Sequence, residues 1–101
     1  MRYKLFGSRL RQLRHERELG IKGLAPELEV TYMHLSNIEL GYKKPSAEFV
    51  KRVARFFDVD EEELTILAGM IPDDISEILS RYPKEAPKYL RSKFKEEKGS
   101  E

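Results

Sequence analysis

Apolar residues along the first two-thirds of the chain recur at helical rather than alternating spacing. Phe6, Leu10 and Leu13 fall at i, i+4 and i+7 with arginines on the other sides, which predicts a helix over Tyr3 to Glu18, ended by Leu19-Gly20. Leu24, Ala25 and Leu28 share one face of a second stretch, from about Ile21 to Leu28, and Leu35 and Ile38 share a face of a third, from about Thr31 to Leu40. Thr31 is a natural N-cap for the third and Gly41 a natural terminator. Ser46 can cap a fourth helix with a wide stripe of Phe49, Val50, Val53, Ala54 and Phe57. Asp60 with Glu63 reads as a capping-box-like start for a fifth, Glu61 to Ala68, closed by Gly69. The pattern predicts an all-α fold in which residues 1–69 place five short helices around one core.

Beyond Gly69 the pattern continues but has less to pack against. One helix is predicted to start at Pro72 or Asp73 and another to run from about Ala86 to Lys98, with Pro83 between them. Ile71, Ile75, Ile78, Leu79 and Tyr82 form one apolar stripe, which a monomer can cover by folding it onto the core. Tyr89, Leu90 and Phe94 form a second that is then surplus. Residues 70–101 therefore read as a helical extension, with Tyr82, Tyr89, Leu90 and Phe94 as the expected contacts of a homodimer and a purely intramolecular role as the alternative. Gly99 to Glu101 are expected to fray. A chain of 101 residues accommodates one domain with such an appendage.

From Leu19 to Ser46 the second and third helices are joined by a tight turn at Val30 and Thr31 and followed by a glycine and a basic loop. This is a helix-turn-helix layout, which can present one helix to a DNA major groove. The net charge of +1 hides a partition: residues 1–57 carry twelve Lys or Arg against six acids, a net +6, and the remainder is −5. From Asp58 to Glu77 there are eight acids and no base. A basic front supports DNA as the partner, although solvated helix faces also produce charge runs.

The composition removes other classes. Cysteine is absent and the only histidines, His15 and His34, lack ligand spacing, so no metal site or disulfide framework is expected. Glu61 to Glu63 and Asp73-Asp74 stand at helix starts, where they complement the helix dipole, rather than forming an acid-base pair. There is no phosphate-cradling glycine loop and no serine nucleophile motif, so neither a catalytic residue nor a cofactor is expected. No apolar run reaches the length of a membrane span, and a cytoplasmic, nucleoid-associated protein is expected.

Leu19, Leu24, Ala25, Leu28, Val30, Thr31, Leu35, Ser36, Ile38, Glu39, Gly41, Pro45 and Ser46 stand at the fixed spacings of one family. The segment from about Phe6 to Gly69 resembles the Cro/cI-type, or xenobiotic-response-element (XRE)-type, helix-turn-helix proteins. The resemblance implies a five-helix repressor-like domain, here with two additional C-terminal helices. Three features depart from the pattern. Ile21 replaces a glutamine that in the family bonds a DNA phosphate, a contact Lys22 could replace. Glu29 replaces the turn glycine, at a cost of about 1 kcal/mol in the left-handed region. Gly23 and Pro26 lie inside the second helix, which should be short or distorted.

The resemblance places the base-contacting positions at Tyr32, Met33 and Asn37, with Thr31 and Ser36 close to the DNA backbone. Asn37 is the strongest reader, because its amide can pair bidentately with adenine, and Met33 suits a thymine methyl. Without an arginine on this helix to read guanine, an A·T-leaning site follows. Lys43 and Lys44, with Tyr42 and Ser46 beside them, and Lys22 are the expected phosphate contacts. The resemblance also implies a partly buried structural ion pair between Arg14 and Glu39. The expected function is a transcriptional regulator, in the first instance a repressor, bound as a homodimer to a pseudo-palindromic operator of double-stranded DNA. The alternative is an interaction module that binds a protein partner such as a toxin, a protease or another regulator, with DNA binding secondary.

Overall fold

The computed structural model describes residues 3–95, and among them there are seven helices and no strand. They are α1 (Lys4–Glu16), α2 (Ile21–Glu27), α3 (Tyr32–Glu39), α4 (Ala47–Phe57), α5 (Glu61–Leu67), α6 (Asp73–Arg81) and α7 (Glu85–Lys93). The chain divides into two compact units, Met1–Met70 and Ile71–Glu101.

In the first unit the predicted stripes meet in one core. Phe6, Leu10 and Leu13 of α1, Leu24 and Ala25 of α2, Leu35 and Ile38 of α3, the five apolar residues of α4 and Leu64 of α5 are all buried, with Leu28 and Ala68 closing the cluster. Each large side chain so buried contributes about 1.5–3 kcal/mol relative to exposure. The side chains of Thr31, Ser46 and Asp60 accept from the backbone N–H groups of His34, Phe49 and Glu63 at 3.0, 3.0 and 2.9 Å, so three helices start where their caps were expected.

Helix ends show a recurrent device. After α3, the Gly41 N–H donates to the Ile38 carbonyl and the Tyr42 N–H to the Asn37 carbonyl, with Gly41 at φ +86°, a Schellman motif. Gly69 ends α5 in the same way. The same paired bonds end α1 at Glu18 and α2 at Glu29, where non-glycine residues take φ +56° and +61°. The left-handed turn after α2 is thus kept despite the missing glycine, and Arg52 of α4 supports it by donating to the Leu28 carbonyl at 3.3 Å. Pro26 sits within α2, which has only seven residues.

Two close contacts in this unit had no sequence signature. A Cβ on Gly7 would lie 2.4 and 2.6 Å from the Glu39 and Ile38 carbonyl oxygens, so glycine allows α1 to approach the end of α3. Arg17 lies over the rings of Phe56 and Phe57 and donates to both of their carbonyls, satisfying the end of α4.

The second unit is a pair of short helices, α6 and α7, packed against each other across a turn that contains Pro83. Neither helix buries a residue. Ile71, Ile75, Ile78 and Tyr82 are exposed together with Tyr89, Leu90 and Phe94. Two nine-residue helices have too few neighbouring side chains to enclose their own apolar faces. α7 also ends earlier than predicted, at Lys93, and the expected turn to Lys98 falls partly outside the described residues, as does the fraying of Gly99 to Glu101.

Candidate nucleic-acid interface

α3 is divided sharply between a packed and an open side. Leu35, Ile38 and Glu39 are buried, and the His34 ring packs edge-on against Phe49 with centroids 6.3 Å apart. Tyr32, Met33, Ser36, Asn37 and Leu40 occupy the remaining arc, as expected of a helix with 3.6 residues per turn. Met33 is the most open of them at 67% exposure; Tyr32 is exposed, and Ser36 and Asn37 are half-buried. No charged residue stands on this arc, since Glu39 is the only charged residue of α3.

Glu39 is held by Arg14. The Arg14 Nε donates to one carboxylate oxygen at 2.7 Å and an NH₂ group donates to the other at 2.9 Å, a bidentate pair, while the third guanidinium nitrogen donates to the Leu19 carbonyl at 2.9 Å. Arg14 and Glu39 are 8% and 9% exposed. The hydrogen bond to Glu39 raises the Arg14 pKa against the opposing effect of burial, so the guanidinium stays charged. One side-chain fork therefore joins the first and third helices and the chain leading into α2.

The turn after α3 fixes the basic loop. The Tyr42 and Lys43 N–H groups both point to the Asn37 carbonyl, at 3.0 and 3.4 Å, so the loop begins directly from the backbone of an expected base reader. Tyr42, Lys43 and Lys44 are exposed, Pro45 is buried and Ser46 opens α4. The hydroxyls of Thr31 and Ser46 accept cap bonds, which leaves each O–H free to donate. Lys22 is exposed on α2, and Ile21 beside it is half-buried. A cleft of about 170 Å³ is lined by Arg11, Arg14, Ile21, Ser36, Glu39 and Leu40. The expected dimer residues Tyr82, Tyr89, Leu90 and Phe94 belong to the second unit, and all four are exposed.

The sequence reading missed Arg11 among the residues of this face. Its signal was spacing: Lys4, Gly7, Arg11 and Arg14 recur at intervals of three, four and three, a single stripe of α1, and two of them meet α3 directly.

An open third helix braced by a buried ion pair and followed by a basic loop defines a helix-turn-helix protein. Comparison with known proteins agrees. The profile of a helix-turn-helix domain matches residues 7–69. Over 73 residues the chain is 32% identical to an uncharacterised HTH-type transcriptional regulator of Mycobacterium tuberculosis, found in strains CDC 1551 / Oshkosh and H37Rv. That stretch is 71% of this chain and 52% of each relative, so the chain spans about half the length of the relatives it matches. The crystal structure of the clp gene regulator ClgR from Corynebacterium glutamicum is similar with a TM-score of 0.59 and 21% identity, over 95% of this chain and 97% of that one, a likeness of fold. The chain belongs to the Cro/cI-type, or XRE-type, helix-turn-helix family of DNA-binding proteins.

Proposed function

We propose that this protein is a sequence-specific DNA-binding transcriptional regulator that acts as a repressor, with α3 entering the major groove. The observation that carries this reading is the open arc of α3: its side chains are polar or apolar but uncharged, whereas cations follow in the loop at Lys43 and Lys44. That separation suits base reading by Asn37, Met33 and Tyr32 and backbone contact by Lys43 and Lys44, with Lys22, Thr31, Ser36, Tyr42 and Ser46 as further backbone contacts. An A·T-leaning half-site follows, with Asn37 on adenine and Met33 against a thymine methyl.

One short helix reads only a few base pairs, so the regulator acts as a homodimer. Two copies related by a twofold axis meet successive major grooves about 10 base pairs apart on a pseudo-palindrome. The exposed side chains of Tyr82, Tyr89, Leu90 and Phe94 supply the dimer contact. Occlusion of a promoter is then the mode of repression, which places the protein in the cytoplasm at the nucleoid.

A second reading has its own observation. Tyr32, Met33, Leu40 and Tyr42 form an exposed apolar group around α3, which also suits a protein partner such as a toxin, a protease or another regulator. Variants separate the two. Asn37→Ala should relax preference at one position of each half-site, whereas replacing Lys43 and Lys44 together should weaken all duplexes about equally. Both are read by binding to specific and scrambled DNA. Identical effects of the two changes on both duplexes would remove α3 from base reading.

A further inference from the structure

The α1 stripe that meets α3 holds two residues whose roles packing explains and two cations whose roles it does not. Gly7 allows close approach, and Arg14 holds Glu39. Lys4 lies beside Gly41, where a built Cβ would be 3.1 Å from the Lys4 Cα, next to the basic loop. Arg11, one turn before Arg14, is exposed and makes no hydrogen bond or ion pair among the described residues. It borders the cleft of about 170 Å³ together with Ser36 and Leu40, which belong to the open arc of α3.

Charge counting gives this cleft a sign. The Glu39 carboxylate also borders it, but both of its oxygens are taken by Arg14, so the Arg11 guanidinium is the uncompensated charge. Its neighbours Ile21 and Leu40 are apolar and offer it no acceptor, and the Ser36 hydroxyl adds a donor on the same wall. Lys22 is not among the lining residues. A planar guanidinium presents two parallel N–H groups to two oxygens of one phosphate.

We infer that the cleft between α1, the start of α2 and α3 receives a phosphate of the DNA backbone, with Arg11 as its cation and Ser36 as a further donor. This rests on the DNA-binding reading and extends it: α1 becomes a phosphate-contacting element beside α3, in addition to the loop cations Lys43 and Lys44.

The test uses the full chain and a labelled 20-base-pair duplex of mixed sequence, with affinity followed by anisotropy between about 50 and 200 mM salt, because phosphate contacts act on any duplex. Arg11→Gln should lower the slope of log affinity against log salt by about one, so that its loss of affinity across that range is about 3.5-fold smaller than that of the unaltered chain. Arg11→Lys should retain most of the slope, and the melting temperature of Arg11→Gln should not change. Arg55→Gln, which removes an exposed charge from α4, controls for net charge and should leave the slope in place. An unchanged slope in Arg11→Gln, or an equal loss in Arg55→Gln, would overturn the assignment. Absence of binding by the unaltered chain at the lowest salt is a different failure, because it overturns the DNA-binding reading itself.

Discussion

Residues 3–70 and 71–95 both carry apolar stripes, yet the first segment buries nearly all of its stripe and no residue of α6 or α7 is buried. The difference lies in what each stripe meets. In the first unit five helices offer facing stripes, their ends are closed by caps and left-handed turns, and a bidentate ion pair crosses between α1 and α3. In the second, two nine-residue helices pack against each other and bury no residue. Amphipathic spacing specifies a helix and its inner face, but a stripe becomes a core only when enough other stripes face it.

The largest expected effect breaks the first unit. Glu39→Ala leaves the Arg14 guanidinium buried without its partner and should cost about 3–5 kcal/mol, read as a large fall in thermal midpoint. The double change Arg14→Met with Glu39→Leu should restore most of that loss, since a buried pair replaced by apolar side chains is often neutral. Recovery by the double change would show that the pair's value lies in mutual satisfaction rather than in attraction alone. Arg14 remains charged because its pKa is raised, so its own titration contributes no change in stability between acid and neutral pH.

A middle-sized effect sharpens the comparison from the other side. Tyr89→Ser with Phe94→Ser should leave the thermal midpoint of the first unit nearly unchanged, because neither side chain is buried, but should shift the sedimenting species from dimer to monomer. Loss of folding in this variant would place these residues in a core. The smallest effect is at the turn between α2 and α3. Glu29→Gly should stabilise by about 0.5–1 kcal/mol, because glycine takes φ +61° without strain and the ion pair lost, Glu29 to Arg52, is long at 3.8 Å and has an exposed carboxylate.

Much of this architecture was legible in the sequence, and the gaps have physical causes. Thr31, Ser46 and Asp60 were readable as caps because capping is local, and Gly41 and Gly69 as terminators because a positive φ favours glycine. Glu18 and Asp58 adopt the same geometry without glycine, and nothing local announced them. Gly7 and Arg17 act across the core, on α3 and α4 respectively, so their partners are distant in sequence. Arg11 was visible as a member of a stripe, but its cleft exists only once α1, α2 and α3 have come together.

The most direct test of the central claim is selection from a pool of random duplexes by the full chain at two salt concentrations, followed by sequencing of the bound fraction. A dimeric regulator reading DNA through α3 should enrich a pseudo-palindrome with A·T-leaning half-sites about 10 base pairs apart, more strongly enriched at the higher salt. Recovery without sequence preference, or no recovery at the lower salt, would contradict it and assign the Tyr32 and Met33 surface to a protein partner.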